Sequence, residues 1–178
     1  MAAYLALYGP PEFSLGMTPQ PGKTYAINKK GSDTVVTLDG TDVVMRCWEG
    51  LGTQKWECVE TDGWLGFVSR ASTVSDRAYL GHNGGEDLEC RQTHHHGWWE
   101  SFQVVSHDEG FAVEIRKEDR LAFVGITAGG SGLKLLPKGT TWWGFTAIDG
   151  ATGGQPSHAP STRSLSIDAP QMKLVVRW

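Results

Sequence analysis

The chain has 178 residues, of which 39% are hydrophobic and 20% charged; this is one domain's worth of sequence with enough apolar side chains for a core, and it excludes disorder of the whole chain. Sixteen basic residues against twenty acidic ones leave a formal charge of −4, so no whole-molecule positive field is available to hold nucleic acid or an anionic lipid surface. The counts that stand out are 23 Gly and 8 Trp, a pairing that signals many turns and much aromatic surface to be buried or used.

In chain order, the first 22 residues are Pro-rich and read as an extension. They carry no basic region and break at Gly9-Pro10-Pro11, unlike a secretory leader. No run reaches the roughly 18 apolar residues of a membrane span. Cys47, Cys58 and Cys90 are an odd number without C-x-x-C spacing, which suits a reducing, cytoplasmic setting with buried free thiols; a Cys47–Cys58 disulfide is the alternative.

From residue 24 onward, helical spacing of apolar residues does not persist, whereas short β-branched and aromatic runs bounded by Gly, Asp and Asn recur. Strands are expected at 24–28, 35–38, 43–47 and 55–60, then at 64–69, 78–81, 88–91 and 101–106, then at 111–116, 121–126, 133–136 and 143–148. The last strand of each set carries an aromatic followed two places later by a small apolar residue: Trp56/Cys58, Phe102/Val104 and Phe145/Ala147, with the aromatics 46 and 43 residues apart. The middle strands correspond as Val36 to Val44, Leu80 to Leu88 and Val124 to Leu133. Leu38-Asp39-Gly40-Thr41, His82-Asn83-Gly84-Gly85 and Ala128-Gly129-Gly130-Ser131 join them.

Such a period announces internal repetition. Three units are fewer than the blades of a propeller, and three units of four strands suit an all-β, pseudo-threefold β-trefoil. The run from Tyr79-Leu80-Gly81 through Cys90, followed by His95-His96-Gly97-Trp98-Trp99-Glu100-Ser101-Phe102, resembles the repeat of the fascin-like, actin-crosslinking-type trefoil family. There a YLG hairpin leads into a GWE-x-F strand. The match is good over residues 64–126 and looser outside. Gln54-Lys55-Trp56 is similar to the Q-x-W ending of ricin-B-type lectin repeats, although Glu100 and Trp143 precede Phe102 and Phe145 where that pattern has Gln.

The expected organisation is an extension at 1–22, a trefoil at 23–149 with repeats at about 24–60, 64–106 and 111–149, and a tail at 150–178. Residues 150–161 read as a linker. Residues 165–167 and 172–178 look strand-like, and residues 3–8 are candidates to pair with 174–178.

The most conspicuous chemistry is Gln92-Thr93-His94-His95-His96-Gly97-Trp98-Trp99. On an extended segment His94 and His96 share a face, but two imidazoles do not make a metal site, and no third ligand is placed among His82, His107 and Asp87. No metal and no cofactor is expected. If Phe102 and Phe145 point inward, alternation turns Trp99 and Trp142 outward and Trp143 inward. Trp48, Trp64 and Trp143 are expected to pack in the core or against hairpins. An outward indole beside a histidine turn can stack on a sugar ring or planar ligand. The candidate ligand-binding set is therefore His94, His95, His96, Trp98, Trp99 and Trp142.

There is no G-x-S-x-G, H-E-x-x-H or P-loop signature, and the carboxylate pairs Glu86-Asp87, Asp108-Glu109 and Glu118-Asp119 fall where turns are expected. No catalytic residue is assigned. The reading is a non-catalytic binding module for carbohydrate or another small polar ligand. What the fascin-like resemblance implies in addition is actin binding, for which the basic residues Lys29, Lys30, Arg116, Lys117 and Arg120 are few. An enzyme acting on a hydrophobic metabolite in a His/Trp pocket is the third alternative.

Overall fold

The computed structural model describes residue 13 and residues 16–72, 76–92, 95–139 and 141–148. The tail strands expected at 3–8, 165–167 and 172–178, and His94, lie outside the described residues.

Twelve strands form where the patterning places them, with ends displaced by no more than one residue. They are β1 (Thr24–Lys29), β2 (Thr34–Asp39), β3 (Asp42–Cys47), β4 (Trp56–Thr61), β5 (Trp64–Ser69), β6 (Ala78–His82), β7 (Leu88–Gln92), β8 (Phe102–His107), β9 (Gly110–Lys117), β10 (Arg120–Ile126), β11 (Leu133–Leu136) and β12 (Trp143–Ala147). β1, β4, β5, β8, β9 and β12 pair in succession, and β12 returns to β1, so six strands close into a barrel with no free edge. The hairpins β2–β3, β6–β7 and β10–β11 cap one end. Each hairpin donates one backbone bond to the turn of another: Met45 N–H to Ser131 O at 2.8 Å, Cys90 N–H to Thr41 O at 2.9 Å and Leu135 N–H to Glu86 O at 2.7 Å. Donors and acceptors are evenly spaced along the chain, which makes this ring the backbone signature of the pseudo-threefold axis. The protein is a single β-trefoil.

The ladder register corrects the alignment of the third repeat. Tyr25 faces Trp56, Leu65 faces Phe102 and Phe111 faces Trp143. On the other side of the same strands Leu65 faces Glu60, Phe111 faces Ser106 and Tyr25 faces Ala147. Trp143, not Phe145, is therefore the counterpart of Trp56 and Phe102. The indoles agree: Trp56 Nε1–H donates to Val36 O at 2.9 Å, and Trp143 Nε1–H donates to the equivalent carbonyl, Val124 O, at 3.0 Å. Residues two apart share a face of a strand, so both Trp143 and Phe145 are buried and burial alone could not separate the alignments.

The core lies between barrel and cap. Phe67 packs edge-on to Phe102 with centroids 5.4 Å apart and stacks on Phe145 at 5.7 Å, and Phe145 also meets Phe111 at 5.6 Å. A void of about 10 Å³ remains on the axis, lined by Ile27, Phe67 and Val113 from the barrel and Val36, Leu80 and Val124 from the cap, with other apolar side chains. Gly16 bridges to Phe145, and a Cβ there would lie 1.8 Å from the Phe145 carbonyl oxygen; part of the N-terminal segment thus docks on β12 through a contact only glycine allows.

All three cysteines are free. Cys58 and Cys90 are buried as expected, but Cys47 is exposed because it ends β3 where the strand leaves the cap. Among the described residues no helix is long and apolar enough to cross a membrane.

Candidate ligand-binding site

The chain leaves β7 and reaches β8 through a 3₁₀ turn, Trp98–Glu100, entered from extended Gly97. It is the counterpart of Gly52–Gln54 before β4. Gln54 is buried and donates to Cys47 O at 2.8 Å while accepting the Glu49 N–H at 2.7 Å. Glu100 is buried at the same place, and in the third repeat Thr141 Oγ1 accepts the Ile126 N–H at 3.2 Å. Buried side chains at this position leave the residues before them outside, so Trp98 and Trp99 stand where the first repeat has Gly52 and Thr53. Trp98-Trp99 and Trp142-Trp143 are therefore not comparable positions, although each Trp pair shortly precedes a buried Phe in the sequence.

His96 is a packing residue. Its Nε2 lies 2.8 Å from Glu100 O, its ring stacks on Tyr79 with an interplanar angle of 8°, and its edge covers Gly66, where a Cβ would come within 2.9 Å of Nε2. Nδ1 is buried without a hydrogen bond. Burial lowers the His96 pKa from its usual value, against the opposing pull of the Glu100 and Leu65 backbone groups. Its ring is thus engaged by Glu100, Tyr79 and Gly66. His95 is exposed, and among the described residues no three His, Cys, Asp or Glu side chains are grouped to hold a metal.

Among the described residues, the three candidate tryptophans face three different places and do not line one pocket. Trp99, 40% exposed, lies over the β6–β7 hairpin, 5.4 Å from His82 and against Gly84. Trp142 is half-buried beside His107 at 5.0 Å, with Gly110 beneath it. Trp98, 49% exposed, walls a surface groove of about 430 Å³ with Trp64, Arg116, Glu118, Asp119, Arg120 and Leu121.

This groove is the strongest candidate site, and most of it was missed by sequence reasoning. The residue pattern places Trp64 in packing, yet it is half-buried and lines the groove; Trp48 does pack, edge-on to Phe13 at 6.1 Å. The barrel assembles the groove, because β8 pairs with both β5 and β9 and so sets Trp64 near Arg116. The Arg116 guanidinium lies over the Trp64 ring at 4.6 Å and over Trp98 as well. Glu118 and Asp119 form the β9–β10 turn, with Glu118 at φ 55°, and Leu121 faces Arg116 across the hairpin.

No family model matches the chain, and no curated protein sequence matches it. Among solved structures, a ricin B-like lectin of Macrolepiota procera, in complex with lactose, is similar with a TM-score of 0.57 at 16% identity, over 72% of this chain and 98% of that one. The Rhizoctonia solani agglutinin is similar with a TM-score of 0.56 at 18% identity, over 74% of this chain and 99% of that one. ThreeFoil, a designed threefold-symmetric protein, gives a TM-score of 0.57 at 16% identity, over 69% of this chain and 97% of that one. At these identities the likeness is one of fold, and it agrees with the trefoil that the strand pairings define.

Proposed function

We propose that the protein is a non-catalytic carbohydrate-binding module whose sugar site is the groove walled by Trp98. The observation that carries this reading is a half-exposed indole set among two carboxylates and two guanidinium groups, with Leu121 beside them. A sugar ring has an apolar C–H face that stacks on an indole and a rim of hydroxyl groups that both donate and accept. Glu118 and Asp119 would accept from those hydroxyls and Arg116 and Arg120 donate to them, the mixture of apolar platform and convergent polar groups that small-molecule sites use. The fold it shares with a lactose-binding lectin and an agglutinin supports the reading.

The test is a tryptophan-fluorescence titration against a broad glycan panel. Saturable binding is expected for wild type, with at least a tenfold loss in Trp98→Ala at unchanged circular dichroism and little loss in Trp142→Ala, whose ring packs on His107 away from the groove. Silence across the panel, or equal affinity in Trp98→Ala, overturns it.

A further inference from the structure

Resting on the carbohydrate reading, we infer that the groove takes an acidic sugar, one bearing a carboxylate on its ring. Arg46 pairs with Asp39, and Arg70 and Arg77 pair with Glu57. Arg116 and Arg120 form no ion pair among the described residues, although Glu118 and Asp119 lie between them in the chain and line the same groove. Two guanidinium groups in one groove thus keep their donors for something outside the protein.

Arg116 is also the better placed of the two. Its backbone is held at both ends, with its N–H donated to Ser101 O at 3.0 Å and its carbonyl oxygen 3.0 Å from His82 Nε2. Its side chain rests over Trp64 and Trp98. Indole contact shields the face of a guanidinium and leaves its edge, where the N–H donors lie in a planar fork that matches a carboxylate. A sugar stacked on Trp98 lies in the groove that Arg116 and Arg120 also line, which gives a ring carboxylate guanidinium partners there. The whole chain carries −4 and does not attract anions in general, so a preference for an acidic sugar would be local to this groove. Glu118 and Asp119, which line the same groove, then accept from the sugar's hydroxyls.

The test compares a glucuronic-acid-terminated oligosaccharide with its glucose-terminated counterpart of the same linkage, titrated into the full chain by calorimetry. The acidic ligand is expected to bind roughly tenfold more tightly, the scale of one charge-assisted hydrogen bond, with the ratio shrinking as salt screens the pair. In Arg116→Gln and, separately, Arg120→Gln, the ratio should fall towards one. Arg120→Gln leaves the Arg116 contacts with Trp64 and Trp98 in place and keeps the test informative if Arg116→Gln fails to fold. Equal binding of the two ligands to wild type, or a ratio that survives in both variants, overturns this inference while leaving the carbohydrate reading intact. Binding of no saccharide at all overturns both.

Discussion

His82 and Arg116 join two repeats side chain to backbone: His82 Nε2 stands 3.0 Å from the Arg116 carbonyl oxygen, while Nδ1 stands 3.0 Å from the Gly84 nitrogen. The Gly84 N–H can only donate, so Nδ1 accepts and Nε2 carries the proton that goes to Arg116. His82 is 2% exposed and Trp99 lies over it. One neutral imidazole thereby closes its own hairpin tip and fixes the strand that carries Arg116.

His82→Ala should therefore lower stability by about 1–3 kcal/mol, chiefly through the Arg116 carbonyl it strands, because Gly84 is exposed and its N–H can turn to water. Urea denaturation should show a lower midpoint at an unchanged slope. An unchanged midpoint would mean that water replaces the imidazole at no net loss.

The corrected register makes a separate prediction. Trp143→Phe and Trp56→Phe each leave a buried carbonyl, Val124 O or Val36 O, without its indole donor and should cost about 1–3 kcal/mol. Trp142→Phe removes no such bond and should stay within about 0.5 kcal/mol. If Trp142→Phe proves as costly as Trp143→Phe in thermal unfolding, the equivalence of Trp143 with Trp56 is wrong.

Thiol chemistry should distinguish the cysteines. Burial, with Glu60 adding a smaller contribution, raises the Cys58 pKa to about 12, and burial, with Glu89 behind it, raises Cys90 to about 12. At neutral pH only on the order of one in 100,000 such thiols is ionised. Native alkylation followed by mass spectrometry should modify exposed Cys47 first, with Cys58 and Cys90 reacting only after denaturant is added.

His96 predicts the direction of a pH effect. Its folded pKa lies below the ordinary 6.5, chiefly through burial, so as pH falls through that value the unfolded chain binds the proton first. Stability then rises with pH across this interval and is lost as pH falls through it. Melting temperatures followed from about pH 7.5 to 5 should fall less steeply in His96→Gln than in wild type; parallel curves would exclude His96 as the source.

Much of the architecture was legible in the residue pattern. β-branched and aromatic runs set off by Gly, Asp and Asn mark all twelve strands because alternation and turn chemistry are local properties. Val36, Leu80 and Val124 were matched across repeats on the same grounds, and the structure brings them to one axial void. Phe145 was matched to Trp56 wrongly, since a shift of two residues preserves the buried face and only the partner strand tells the two apart. From the sequence His96 is a candidate ligand-binding residue, because a histidine in a polar turn looks available. Gly66 and Tyr79, which bury it, belong to β5 and β6 and come close only in three dimensions.

The sequence by itself determined the positions of the strands, the threefold repetition and that Trp99 would be outside, because each follows from spacing along the chain; that Trp98 is outside as well came from the 3₁₀ turn. Which of the outward tryptophans belongs to a groove was decided only by the tertiary structure. Closure of the barrel sets Trp64 of β5 and Arg116 of β9 on either side of β8, and the 3₁₀ turn sends Trp98 towards them and Trp99 towards His82. Burial preference is a property of one residue; a groove is a property of residues that meet only when the sheet closes.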